Sequence, residues 1–247
     1  MLRLLSYNIR HGGVGREKKI AEVIRECDPD IVVLQEATHP RVVKALADET
    51  GMERWAATER YSLAFLSRIE IADHQWRQPT PMRRAFLEIR LAGLDLTIYG
   101  VHLTATHSNL TERLRMRELR SLLRSIDSQK DKFHVLTGDF NTLAPGELME
   151  LRRLPPRLRF LAWATGGRVR YKTIQIILDA GYADGYRSLH SDPGSTFPTW
   201  DPKVRLDFLF LPTSLSSRVE SCSVMTSPLL VREASDHFPL LSTINPP

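Results

Sequence analysis

Cysteine is scarce in this chain. Two in 247 residues, Cys27 and Cys222, are too few for a disulfide framework; they fit a reducing compartment and roles as small, buried apolar side chains. Long apolar runs are missing as well. No stretch is long and apolar enough to span a bilayer, and Met1-Leu2-Arg3-Leu4-Leu5-Ser6 lacks the apolar centre of a secretion signal, so a soluble, cytoplasmic protein is expected. Internal repeats, low-complexity segments and linker-like stretches are also missing. One domain over residues 1–247 is therefore expected, with a basic insertion at about 144–170, and a hydrophobic content of 42% suffices for a full core. The excess of positive charge is small, +5 with a pI near 9.4. It is compatible with nucleic acid, an anionic membrane surface or a phosphorylated small molecule, and selects none of them.

The apolar periodicity gives strands alternating with amphipathic helices. Residues 2 to 9 read as a strand, and Glu17 to Cys27 as a helix with Ile20, Val23, Ile24 and Cys27 on one face. Ile31-Val32-Val33-Leu34 is a wholly apolar strand that runs into Gln35-Glu36, and Pro40 opens a second helix. Antiparallel strands follow over 61–66, 69–74, 84–91 and 94–103. Thr111 is placed to cap a long helix through Ser125 whose Arg113, Arg117, Arg120 and Arg124 face water. A strand over 133–136, a helix over 171–180 and strands over 204–211, 218–225 and 239–244 complete the pattern. It predicts an α+β protein with two mixed sheets packed together and covered by helices.

Polar residues collect where these strands stop. Thr137-Gly138-Asp139-Phe140-Asn141-Thr142 follows one buried run, and two residues apart in extended backbone Asp139 and Asn141 point the same way, a charged oxygen beside an amide. An Asx-type turn uses these residue types too. Asn8, Glu36 and His102 also end strands. Asp207 lies between leucine and phenylalanine, where a carboxylate must be paired or hydrogen-bonded, and Asp236-His237 forms the last polar cluster.

Jointly these residues match a family. The order Ser6-Tyr7-Asn8, Leu34-Gln35-Glu36, Val101-His102-Leu103, Thr137-Gly138-Asp139-Phe140-Asn141, Arg205-Leu206-Asp207-Phe208 and Ser235-Asp236-His237 resembles the endonuclease/exonuclease/phosphatase superfamily, the DNase I-like fold. The resemblance covers nearly the whole chain. It implies a four-layer α/β sandwich, two mixed β-sheets flanked by helices, with the site at one edge of the sheets. It also implies metal-dependent attack of water on a phosphoric ester without a covalent enzyme intermediate. Asn8, Glu36 and Asp236 then correspond to the Mg²⁺ or Mn²⁺ site, hard oxygen donors suited to an ion that keeps waters and grips a phosphate. Asp207 corresponds to the carboxylate that orients His237, and either His237 or Asp139 to the base that takes the water's proton. Asn141 would position the water or the phosphate, and His102 would donate to a non-bridging phosphoryl oxygen, with Glu59 a looser match for its support.

Substrate is less legible. Pro198-Thr199-Trp200-Asp201-Pro202-Lys203 departs from the inositol-phosphatase signature, and Asp207 sits in the form found in nucleases and sphingomyelinase-like members. A nuclease-like phosphodiesterase acting on nucleic acid is expected, with the arginines of 144–170, Arg205, Phe197 and Trp200 as substrate contacts. The alternatives are a sphingomyelinase-like phospholipid phosphodiesterase, a phosphomonoesterase, or a silent binding module of the same fold. The last predicts lost acids and histidines, yet every motif position is filled.

Overall fold

The computed structural model describes residues 1–80, 82–105, 109–130, 132–147 and 171–246. In chain order the elements are β1 (Leu2–Asn8), α1 (Glu17–Cys27), β2 (Ile31–Gln35), α2 (Pro40–Thr50), β3 (Arg54–Ala56), β4 (Leu63–Ser67), β5 (Ile71–Arg77), β6 (Phe86–Leu91) and β7 (Thr97–His102). They continue with α3 (Asn109–Ile126), β8 (His134–Asp139), α4 (Lys172–Asp179), β9 (Tyr182–Asp184), β10 (Asp207–Pro212), β11 (Val219–Val224), α5 (Val231–Ala234) and β12 (Leu240–Ile244). One sheet has the order β11-β12-β1-β2-β4-β3 and the other β5-β6-β7-β8-β10-β9. Each is mixed: β1 with β2 and β7 with β8 are parallel, and the remaining pairs are antiparallel.

Strand alternation builds four layers. Leu4, Ile31, Val33 and Phe65 of the first sheet meet Leu87, Ile89, Ile98, Val135 and Leu209 of the second. The opposite-facing Leu5, Tyr7, Val32 and Leu34 pack under Ile20, Val23 and Ile24 of α1 and Val42, Val43 and Leu46 of α2. On the far side Tyr99, Leu136, Phe208 and Phe210 pack under Leu119, Leu122 and Ile126 of α3 and Ile174 and Ile177 of α4. Strands buried on both faces read as unbroken apolar runs, which is why Ile31 to Leu34 carries no alternation. Each such side chain contributes roughly 2 kcal/mol of burial. The expected four-layer sandwich is the one that forms.

Several boundaries differ from expectation. The helix expected to start at Thr111 begins at Asn109, so Thr111 lies inside it. The strand expected from Val204 starts at Asp207; Val204 makes only an isolated bridge to Phe197. Asp207 therefore stands at a strand end and not in its middle. Strands β3 and β9, three residues each, and the four-residue α5 fall below the length at which periodicity can be read. The basic segment expected at 144–170 lies outside the described residues from 148 onward.

Strand register aligns the polar ends. His102 pairs with Asp139 across β7 and β8, Asp139 with Asp207 across β8 and β10, and Asn8 with Gln35 across β1 and β2. Three polar side chains of one sheet, those of His102, Asp139 and Asp207, thus stand in a row, facing the end of β1 in the other.

Candidate active site

Asp139 is the centre of that row. It is buried, and its Oδ2 accepts from Asn8 Nδ2 at 3.0 Å, a bond that joins the two sheets. Asn141 does not continue in extended backbone: its φ of 52° folds it back, so that its backbone N–H donates to Asp139 Oδ1 at 2.8 Å and its side-chain amide to Asp139 Oδ2 at 3.0 Å. The Asx turn and the polar cluster are thus the same object. The Asn141 amide also donates to the Leu103 carbonyl at 3.2 Å, fixing it against the end of β7.

His237 arrives from the loop between α5 and β12. Its Nδ1 lies 2.8 Å from Asp207 Oδ2, and its Nε2 lies 4.0 Å from Asp139 Oδ2. Burial disfavours the imidazolium, but the charge and hydrogen bond of Asp207, with Asp139 and Asp236, overcome it and push His237 up to about 9. Burial pushes Asp139 up to about 7 against the opposing pull of His237, with the charge of Asp207 adding to the rise. Both shifts favour the protonated forms. For His237, raised above its usual 6.5, the stabilisation is complete below about pH 6.5 and is lost as pH rises through about 9. Asp139 acts in the same direction over a lower range, between about 4 and 7. Urea unfolding in EDTA is accordingly expected to give a lower midpoint at about pH 9.5 than at about pH 7, a difference that shrinks in His237→Gln. Equal wild-type midpoints at the two pH values would contradict the coupling.

Glu36 and Asp236 flank this cluster. Glu36, at φ 56°, holds its Oε2 on the His11 backbone N–H at 2.5 Å and its Oε1 3.4 Å from Asn8 Nδ2. The loop from Arg10 to Gly13 runs entirely at positive φ, which turns the N–H groups of His11 and Gly12 back toward Glu36. Asp236 faces Arg10 at 3.4 Å, and the neighbouring Ser235 hydroxyl donates to the Asn8 carbonyl at 2.6 Å. Among the described residues no group of three or more His, Cys, Asp or Glu side chains stands at metal-holding spacing. The donors present are nonetheless hard oxygens, with no sulfur nearby. One or two carboxylates with an amide oxygen fit a magnesium-like ion that keeps most of its waters.

His102 is buried at the end of β7. Its Nδ1 lies 2.9 Å from Ser62 Oγ and 3.2 Å from Arg84 Nη1, and its buried Nε2 has no partner among the described residues. Burial first, then the positive charges of Arg84 and His237, hold this imidazole well below the usual histidine range. Exposed Glu59 takes no part in its support. Neither Ser62 nor Arg84 carried a sequence signal, because both stand in irregular backbone outside the motifs.

The three substrate candidates part company. Arg205 is 1% exposed, and its guanidinium is committed to Asp184 at 2.6 and 2.8 Å and to Glu147 at 2.6 and 2.9 Å, stacked 4.3 Å over Phe208. This corrects its expected role as a substrate contact: the planar fork is spent on two carboxylates. Arg205→Lys should lower unfolding free energy by about 2 kcal/mol, since one ammonium cannot satisfy both acids; a urea midpoint equal to wild type would refute this. Phe197 is half-buried with its ring 4.8 Å from that of His237, and Trp200 is 62% exposed, 6.3 Å from Phe197. Thr199 holds their loop, donating to the carbonyls of Asp236 and Ser235 at 2.9 Å each.

Solved structures share this architecture. The 3′ phosphatase NExo from Neisseria, bound to product DNA hairpin, superposes with a TM-score of 0.76 at 16% identity, covering 99% of this chain and 100% of that one. An AP endonuclease from Archaeoglobus fulgidus gives 0.76 at 18%, covering 99% of each chain. An endonuclease/exonuclease/phosphatase from Beutenbergia cavernae gives 0.72 at 22%, covering 99% of this chain and 72% of that one. Comparison with curated proteins gives no match. The family model described as Endonuclease/Exonuclease/phosphatase matches residues 5–237, from the strand carrying Asn8 to His237 itself, and the chain belongs to that family.

Proposed function

We propose that this protein is a divalent-metal-dependent phosphodiesterase acting on nucleic acid, in which water attacks phosphorus directly. The observation that carries the reading is the convergence of a base and a donor. The Asp207–His237–Asp139 array and the Nε2 of His102, unpartnered among the described residues, meet at Asp139 Oδ2, which lies 4.0 Å from His237 Nε2 and 3.9 Å from His102 Nε2. Phosphoester hydrolysis also agrees with the family.

Asp207 holds His237 by Nδ1 and so leaves its Nε2 toward Asp139. The Asp139–His237 pair takes the proton of the attacking water as one coupled unit, a role worth roughly 10² to 10⁴ in rate. Asn141 keeps Asp139 oriented through two hydrogen bonds, and Asn8 anchors it to the opposite sheet. His102 donates to a non-bridging phosphoryl oxygen. Glu36 and Asn8, with Asp236, would hold Mg²⁺ or Mn²⁺, which supplies charge neutralisation on the phosphate. Phe197 packs against His237, and exposed Trp200 lies beside Phe197, where stacking on an unpaired base is available. The product DNA hairpin bound by NExo supports a nucleic-acid substrate here.

The test is Mg²⁺-dependent turnover of supercoiled plasmid, abasic-site duplex, single-stranded DNA, RNA and sphingomyelin vesicles. Cleavage of a nucleic acid that EDTA abolishes is the expected result. Turnover confined to sphingomyelin would replace nucleic acid by lipid, and no turnover of any phosphoester would sink the hydrolase reading.

A further inference from the structure

The structure assigns Arg84, together with Ser62, as the positioning residue that holds His102 as a neutral imidazole carrying its proton on Nε2. The argument turns on what each partner can do. A guanidinium has N–H groups and no acceptor, so Arg84 Nη1, 3.2 Å from His102 Nδ1, can only donate. Nδ1 must then present its lone pair, and in a neutral imidazole the proton is left on Nε2. The Ser62 hydroxyl agrees: 2.9 Å from the same Nδ1, it is free to donate, and at 3.4 Å from Arg84 Nη1 its oxygen can accept. A proton on Nδ1 would face both a cation and a donor.

The other side of the ring has no such partner. His102 is 4% exposed, Nε2 is buried without a hydrogen bond to any described residue, and Asp139 Oδ2 at 3.9 Å is too far to accept one. The charged or titratable groups that bear on the ring are Arg84 from the loop before β6, Asp139 from β8 and His237 from the loop before β12. An N–H kept unsatisfied inside a protein costs stability, and such donors collect where a ligand supplies the acceptor. Here the acceptor would be a phosphoryl oxygen.

A carboxylate in Arg84's place would draw the proton to Nδ1 and favour an imidazolium able to release a proton from Nε2. Arg84 does the reverse. It confines His102 to hydrogen-bond donation, with no proton delivered to the leaving group from this ring. The substrate side of this assignment rests on the hydrolase reading; the tautomer does not.

Ring-¹⁵N-labelled histidine in the full chain gives the direct test, with the His102 signals identified by their loss in His102→Gln. At neutral pH the metal-free wild type is expected to show a protonated Nε2 and an unprotonated Nδ1. Arg84→Met should disturb that pattern and lower kcat about tenfold with KM within about twofold, and Arg84→Lys, which still donates, should restore both. A wild-type ring protonated on Nδ1, alone or with Nε2, overturns the assignment even if the variants fail to fold. So does Arg84→Met with unchanged ring signals and kcat. A wild type that turns over no phosphoester defeats the hydrolase reading instead, and the ring signals then decide the tautomer by themselves.

Discussion

His237→Ala is expected to lower kcat on a cleavable oligonucleotide by about 10³-fold with little change in KM. His237 contacts Asp207, Phe197 and the region beside Asp139, and the one of these that bears on substrate binding, Phe197, stands on a loop that Thr199 holds without His237. Its loss therefore falls on the chemical step. Alanine has a second consequence, because among the described residues Asp207 Oδ2 has His237 as its side-chain partner and Oδ1 has none, so the variant strands a buried carboxylate. His237→Gln is the better probe of chemistry: a side-chain amide can still donate to Asp207 but cannot take a proton. The expected order is an equal loss of kcat in both variants and a larger loss of stability in alanine than in glutamine. Asp207→Asn combined with His237→Gln should cost scarcely more than His237→Gln, as groups acting as one unit are not additive. A glutamine variant within about tenfold of wild-type kcat would remove His237 from the reaction and leave Asp139 as the base.

The parts of this site visible in the sequence are those that share a strand end with an apolar run. Asn8, Glu36, His102 and Asp139 each follow buried strands whose composition announces them, and strand register then places them side by side. Asp207 was legible for another reason: an acid among core residues requires a partner, and His237 is that partner. What periodicity cannot carry is backbone that leaves extended or helical geometry. Asn141 turns back onto Asp139 through a single left-handed residue, and the loop at Arg10 to Gly13 does the same for Glu36. Arg205 misleads because an arginine two residues from a motif aspartate looks like a phosphate contact, while its carboxylates, Asp184 and Glu147, stand 21 and 58 residues away. Ser62 and Arg84 are invisible because they stand in irregular backbone outside the motifs, 40 and 18 residues from the histidine they support.

Gly138→Ala should lower unfolding free energy by about 4 kcal/mol, and the reason lies in the neighbouring strand. Gly138 has φ 146°, and a β-carbon there would stand 1.9 Å from the Val101 carbonyl oxygen, 2.8 Å from its carbon and 3.0 Å from the Val101 nitrogen. All three are backbone atoms of β7, so no rotamer change relieves the contact. On its other side Gly138 pairs with Phe208 of β10, which closes the route by which β8 could move away. Left-handed strain of roughly 1–3 kcal/mol and overpacking of a similar size therefore add. Gly93→Ala separates the two, since Gly93 also has positive φ, 72°, but nothing lies within 4 Å of its added β-carbon; about 1 kcal/mol is expected there. The steric part has a functional reading too. Val101 and Gly138 immediately precede His102 and Asp139, so prising their strands apart moves donor and base relative to each other, and kcat should fall even in the fraction that folds. Urea unfolding of the two alanine variants decides the matter, because equal losses would mean that conformation alone, and not the closeness of β7, requires glycine before Asp139.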